Sequence, residues 1–493
     1  MHETEGSTSV KKKAVAGVFW KLMERFIAQG VSLVVSIIIA RILSPTEFSV
    51  VGIVTVFFNF TNIIVTSGLN TALIQKKNSD VLDYSTVLYT SLLISTLLYI
   101  ILFFCAPWIA QIYHIHELKP MIRIMGFSLP VLAIKSVWCA YISSNLLFRK
   151  FFFATLGGTV VSGVVGIYMA LTGFGAWSLI AQQMTNIVID TVILFLCTRV
   201  KIQPVFSFGR LRSLFSYGWK IFASSMLGTA YTEISPLMIG LHFPATDLSF
   251  YTKGKSFPSM IATSATSTLA AVMFPVMARY QDDKPRILNY TRLFMRLSSF
   301  LCFSMMLGFF AIADNFVYVI LTEKWMPAVY FIRVFCVSFM FEVIATGNCE
   351  TIKAIGRSDI YLKIEIIKKT GYFITLFFFI YFAPSAKILS LAYIVCTVIS
   401  VVVNSLPNLS LIKYRYADQI QDILPNLIIS VIMCVSTMIV GKLMPRGALA
   451  LLLQILTGFA VVVILSGITD NPAFKYYLEF LKKYISGRRH ADG

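Results

Sequence analysis

Long apolar blocks, broken by short charged or Pro/Gly-rich segments, run along the whole 493-residue chain. Splitting at those breaks gives fourteen spans of about 20 residues or more, enough for an α-helix to cross the hydrocarbon of a bilayer. They lie at approximately 17–42, 48–74, 84–106, 121–145, 153–173, 175–198, 216–242, 256–278, 293–317, 327–351, 363–382, 388–411, 423–443 and 448–468. The blocks lack the alternating period of a membrane β-barrel, so the pattern predicts an all-α integral membrane protein. The connections between spans are short and leave no room for an extramembrane domain.

Composition sharpens this reading. With 57% hydrophobic and 13% charged residues and a mean hydropathy of +0.78, the chain is no soluble enzyme, disordered protein or disulfide scaffold. All eight cysteines sit inside apolar blocks without a C-x-x-C pair, which gives no disulfide or zinc framework. The excess of 42 Lys and Arg over 23 Asp and Glu would suggest nucleic acid in a soluble protein. Here the excess falls in alternate loops: 25 basic residues lie in the set holding both termini and 8 in the other. That bias predicts cytoplasmic termini and an even number of spans, with no nucleic-acid partner. Lys11-Lys12-Lys13 and the apolar run from Ala14 to Leu43 read as a retained first helix, because the run is long and carries Lys21, Glu24 and Arg25. Near the other end, Phe474, Tyr477, Leu478, Leu481 and Ile485 predict an amphipathic helix lying on the inner leaflet.

The chain carries an internal repeat. Trp20-Lys21 recurs as Trp219-Lys220, and Pro45 as Pro244, both at an offset of 199 residues. Six spans separate the copies, so the halves share one orientation. The predicted organisation is an N-terminal lobe at 1–212 (spans 1–6) and a C-terminal lobe at 213–415 (spans 7–12). Spans 13 and 14 follow at 416–470, then a cytoplasmic tail at 471–493.

Charge at bilayer depth is costly and usually faces an internal cavity. Lys21, Arg25, Gln29, Ser32 and Ser36 form one polar face of the first span. Further along stand Lys135, Asp190, Lys220, Glu233, Arg333, Glu342, Glu365, Lys368 and Lys369. Helical spacing pairs Lys21 with Glu24 and Glu365 with Lys369, whereas Lys135 has no acidic residue within a turn. Because cations predominate, the expected cargo is an anion with a lipid tail, its phosphate held by Lys and Arg. The expected substrate-binding residues are Lys21, Arg25, Lys135, Lys220, Arg333 and Lys368; the expected proton- or ion-coupling carboxylates are Asp190, Glu233 and Glu342. Pro130, Pro236, Pro275 and Pro407 are expected to permit kinks, and the glycines at 157–166 a close helix contact. No nucleotide, hydrolase or metalloprotease motif is present, and His114-Ile-His116-Glu117 reads as a solvated loop rather than a metal site. Neither a catalytic group nor a cofactor is expected.

The stretch Ala40-Arg41-Ile42-Leu43-Ser44-Pro45-Thr46-Glu47-Phe48 resembles the signature of the Wzx-type polysaccharide-unit flippases. These form a branch, with the colanic-acid and teichuronic-acid exporters, of the multidrug/oligosaccharidyl-lipid/polysaccharide superfamily. Residues 72–77, 173–183, 274–277, 281–284 and 323–325 add similar segments in the expected order. The resemblance covers most of 14–415 and fades over spans 13 and 14. It implies a V-shaped transporter like the MATE proteins, with two pseudo-symmetric six-helix bundles. Such a protein flips an undecaprenyl-diphosphate-linked oligosaccharide unit of O-antigen, capsule or exopolysaccharide across the bacterial inner membrane, coupled to protons or sodium. A polysaccharide polymerase and chain-length machinery are the partners this implies. Ser49 departs from the family's usual Gly, and Tyr251-Thr252-Lys253-Gly254 from its usual YNRA. Two other classes remain: a MATE-type drug/cation antiporter, which needs an acid-rich N-terminal cavity, and a membrane glycosyltransferase or polymerase, which needs a long outward loop.

Overall fold

The computed structural model describes residues 20, 23–24, 26–76, 79–198 and 200–489, and every regular element among them is helical. Lys21 and Arg25, two of the expected phosphate ligands, lie outside the described residues. The chain divides into two compact units, Met1–Ser249 and Phe250–Gly493.

The first unit holds α1 (Phe26–Ile42), α2 (Pro45–Thr66), α3 (Leu69–Gln75), α4 (Val81–Ile112) and α5 (Leu118–Gly126). It continues with α6 (Ser128–Ser144), α7 (Phe148–Leu171), α8 (Trp177–Cys197) and α9 (Phe208–His242). The unit boundary falls in the first turn of α10 (Ala245–Arg279). The second unit then holds α11 (Lys284–Phe316), α12 (Ala328–Ala354), α13 (Ser358–Phe382) and α14 (Ala386–Leu411). After these come α15 (Tyr416–Leu443), α16 (Ala448–Ile468) and α17 (Pro472–Arg489).

Each predicted span coincides with a helix, but two are broken. The span at 48–74 breaks into α2 and α3 at Gly68, whose φ of +82° only glycine adopts readily. The span at 121–145 breaks into α5 and α6 around Phe127, so Pro130 falls in a first helical turn and not in a helix interior. Pro236, Pro275 and Pro407 do lie inside helices.

Among the described residues, ten segments are long and apolar enough to cross a membrane by length and composition. Along α16, Leu449, Leu452, Leu456 and Phe459 are exposed, an apolar surface that fits lipid and not water. The protein is a multi-pass membrane protein. Outside this set, α1 is apolar but short, and α9, α10 and α13 do not qualify. The last three carry Lys220, Glu233, Lys253, Lys255, Glu365, Lys368 and Lys369.

Lipid supplies no hydrophobic drive between helices, so small residues and polar clamps decide who packs on whom. The glycines of α7 bring α8 close: a Cβ on Gly166 would sit 2.9 Å from the Gln182 Cβ, and one on Gly158 3.2 Å from the Asn186 carbonyl. In the second unit Asp422 on α15, nearly fully buried, clamps α11. It accepts from Arg292 Nε (2.8 Å), Arg296 Nε (2.7 Å) and the Tyr414 hydroxyl (2.9 Å). At the start of α4, Asp80 accepts from the Asp83 amide at 2.9 Å, and that bond above all holds its carboxyl below the usual range.

Two placements differ from expectation. Helix α9, which opens the C-terminal lobe in the predicted organisation, packs on α2, α3 and α4 of the first unit. The tail does form a helix, but Phe474 and Tyr477 pack against Phe300 of α11, and the Tyr477 hydroxyl donates to the Leu297 carbonyl at 3.2 Å. Part of the face expected on lipid is therefore covered by protein.

Candidate functional site

A polar cavity of about 360 Å³ lies inside the first unit between α1, α2, α5, α7 and α8. Its chemistry is amide and hydroxyl: Ser32, Thr55, Asn59, Gln182, Gln183 and Asn186 all contribute to the wall. The side chains are loosely linked, Gln183 Nε2 donating to Thr55 Oγ1 at 3.5 Å and Asn186 Nδ2 to Ser162 Oγ at 3.4 Å. Such long bonds leave donors and acceptors ready for an incoming hydroxyl. From the expected polar face of the first span, Ser32 reaches this wall.

Charged groups flank the cavity. Asn59 Nδ2 donates to Glu233 Oε1 of α9 at 3.0 Å, so that carboxylate is tied to the cavity wall. One turn along α8 from Asn186, Asp190 accepts from Lys135 Nζ at 2.6 Å. The pair is largely buried, with 19% of the Lys135 and 4% of the Asp190 side chain exposed. The expected lone, cavity-facing Lys135 is therefore half of an ion pair whose carboxylate comes from another helix. Asp190 Oδ1 accepts no hydrogen bond. Lys220 stands exposed on α9 beside Trp219, which lines an apolar pocket of about 480 Å³ with Ile64, Ile94, Phe215 and Phe222. Arg212 reaches the same pocket.

The second unit holds the other expected residues in two places. Arg333 of α12 forms an ion pair with Asp314 of α11, and its Nε donates to the Phe310 carbonyl at 3.5 Å. Glu342, two turns or more along α12, is exposed. Lys255 of α10 sits 4.9 Å from the Tyr393 ring centroid. Glu365 pairs with Lys368 and not with Lys369 as its spacing suggested. Among the described residues no group of three or more His, Cys, Asp or Glu could hold a metal ion.

Sequence reasoning missed the amides of the first cavity and the Asp314 partner of Arg333. Gln182 and Gln183 had a signal, since they close the 173–183 segment that carries part of the resemblance. Asp314 had none beyond its place near the end of an apolar span.

The signature residues turn out to serve the architecture. Ser44 caps α2 in a reciprocal box: its amide donates to Glu47 Oε2 at 2.6 Å and the Glu47 amide to Ser44 Oγ at 3.3 Å. Gly175, at φ +56°, lies where a Cβ would come within 2.5 Å of Glu47 Oε1, so the 40–48 and 173–183 segments meet in space. Ser49, the departure from the family's Gly, is fully buried and donates to the Thr46 carbonyl at 2.6 Å. Ser249 does the same to Thr246 at 2.7 Å, a second trace of the repeat.

The chain is similar to known proteins. The chain is 24% identical over 314 residues to the succinoglycan biosynthesis transport protein ExoT of Rhizobium meliloti (strain 1021), spanning 64% of each chain. It is 22% identical to the teichuronic acid biosynthesis protein TuaB of Bacillus subtilis (strain 168), over 71% of this chain and 73% of that one. In fold it resembles the lipid II flippase MurJ in an inward closed conformation, with a TM-score of 0.75, 14% identity, and 92% and 98% of the two chains covered. A MATE-family multidrug transporter of the MOP superfamily in its inward-facing conformation follows at 0.59, with 12% identity over 80% and 99%. The family model described as polysaccharide biosynthesis protein matches residues 38–330, and to that family the chain belongs.

Proposed function

We propose that the chain flips a lipid-diphosphate-linked oligosaccharide unit, undecaprenyl-linked in kind, from the inner to the outer leaflet of a bacterial inner membrane by alternating access. The observation that carries this reading is the amide- and hydroxyl-lined cavity of the first unit. Its chemistry matches a hydroxyl-rich glycan, and the lysines and arginines of the spans match a diphosphate. The family and its relatives' names, which speak of polysaccharide biosynthesis, transport and flipping, agree with it. In this reading Lys220, with Lys21, Arg25, Arg333 and Lys368, attracts the diphosphate. Lys135 pairs with Asp190, and Asp190, Glu233 and Glu342 couple transport to protons or sodium.

All fourteen predicted spans cross the membrane, with both termini in the cytoplasm. The polarity of α9, α10 and α13 then reflects helices that face water rather than lipid. A polysaccharide polymerase and chain-length machinery receive the product. A cation antiporter would need free carboxylates in the first unit, and there Asp190 is held by Lys135.

The test is export of lipid-linked sugar by cells whose own copy is deleted. Lys220→Ala together with Lys368→Ala is expected to lower export at least tenfold at normal membrane levels. Undiminished export from the double variant rejects the assignment.

A further inference from the structure

A second polar cavity, of about 550 Å³, opens in the second unit where the C-terminal ends of α11 and α15 meet the N-terminal ends of α12 and α16. This is the end of the unit away from α17, because α17 follows directly on the other end of α16. Arg333, Lys442 and Arg446 line it, and Asp314 is its one carboxylate. That carboxylate is already engaged by Arg333. Among the described residues no carboxylate pairs with Lys442 or Arg446, and both are exposed. Three cations, one from α12 and two from the end of α15 and its connection to α16, thus face one cavity with a single, occupied counter-charge.

The floor is polar and fixed. Asn315 and Gln454 line the cavity at 3% and 2% exposure. Asn315 Nδ2 donates to Gln454 Oε1 at 2.8 Å, and Gln454 Nε2 donates to the Thr437 carbonyl at 3.1 Å. This chain of bonds leaves Asn315 Oδ1 buried without a donor. A buried acceptor left open is costly unless a hydroxyl or water reaches it. The position of the cations adds weight. Only 8 basic residues lie in the outward loop set, yet Lys442 and Arg446 fall within one turn of chain there. Cations on that side work against orientation in the membrane, so a cluster needs another reason.

From this geometry we infer that the cavity is a binding site for a phosphate that carries a hydroxyl-bearing group. Lys442 and Arg446 neutralise the phosphate at the rim, Arg333 lies deeper, and Asn315 Oδ1 accepts a hydrogen bond from a hydroxyl of the attached group. The volume suits a sugar phosphate or a glycerol phosphate headgroup. Only the assignment of the site to the outer side rests on the flippase reading; there it would meet the cargo head after translocation, or an outer-leaflet anionic lipid.

Full-length protein in neutral detergent is titrated with glucose 1-phosphate by calorimetry. In parallel, protein in nanodiscs is scored for retained phosphatidylglycerol against phosphatidylcholine by native mass spectrometry. Binding is expected in one arm, which names the source. In that arm Lys442→Gln with Arg446→Gln should weaken it at least tenfold, whereas Lys442→Arg with Arg446→Lys restores it and Lys475→Gln leaves it unchanged. Undiminished binding by the Gln pair, or wild-type binding in neither arm, overturns the site. Both readouts are equilibrium binding, so a protein that binds in this way but moves no lipid-linked sugar refutes the flippase reading alone.

Discussion

Lys135 and Asp190 stand 55 positions apart in sequence and meet at 2.6 Å. Local spacing could not reveal the pair, because helix periodicity links residues three or four apart and is silent about neighbours on another helix. What permits the contact is Gly158 on α7: a Cβ there would lie 3.0 Å from Asp190 Oδ1, so a larger residue would crowd the carboxylate. Removing one partner of a buried pair strands the other, at a cost of about 3–5 kcal/mol, and the residual exposure of Lys135 places this case near the lower figure. Asp190→Asn is therefore expected to lower the thermal unfolding midpoint in detergent by several degrees. Lys135→Gln added to it should recover most of the loss, since the double variant buries no lone charge. If the double variant is stable and still exports, Asp190 couples nothing and serves packing alone. An Asp190→Asn protein as heat-stable as the parent would remove the ion pair from the account.

At the scale of elements, the sequence carried almost the whole pattern of helices, because apolar blocks about 20 residues long have few other solutions in a bilayer. It hid the breaks inside two of them and the partner of each helix. Where α3 meets α9 the determinant is two glycines. A Cβ on Gly218 would approach the Gly68 carbonyl carbon to 2.9 Å, and one on Gly68 would approach the Gly218 oxygen to 2.9 Å. Backbone, unlike a side-chain tip, cannot step aside cheaply, so Gly218→Ala is expected to destabilise by roughly 1–3 kcal/mol. The readout is the monodisperse yield after solubilisation. Gly228→Ala on the same helix meets nothing within 4 Å and should match the parent. Equal yields for both would mean that α9 does not rest on α3 as described. This contact also bears on the site: α9 carries Glu233 to Asn59 and Lys220 to its exposed position.

For the molecule as a whole, charge placement was legible and membrane crossing only partly so. The segments that are long and apolar enough to cross number ten, while fourteen spans follow from the breaks in the sequence. The gap comes from α1, α9, α10 and α13, and the last three carry several of the ionisable residues proposed for transport, Lys220, Glu233 and Lys368 among them. Hydropathy discounts the helices a wet cavity requires, so function itself blurs the count. The two counts differ in whether the α13–α14 connection lies across the membrane from Asp282, since three crossings separate them with α13 and two without it. In the proposed topology Ser207 and Asp282, in basic-rich connections, lie inside, and with α13 crossing Ser385 lies outside. Each is replaced singly by Cys in a background from which the eight native cysteines have been removed. On intact spheroplasts, a membrane-impermeant maleimide is expected to label the Cys at 385, and to reach those at 207 and 282 only after permeabilisation. Labelling at 385 confined to opened cells would put α13 on the membrane rather than through it, and would take Lys368 and Glu365 out of any transport path.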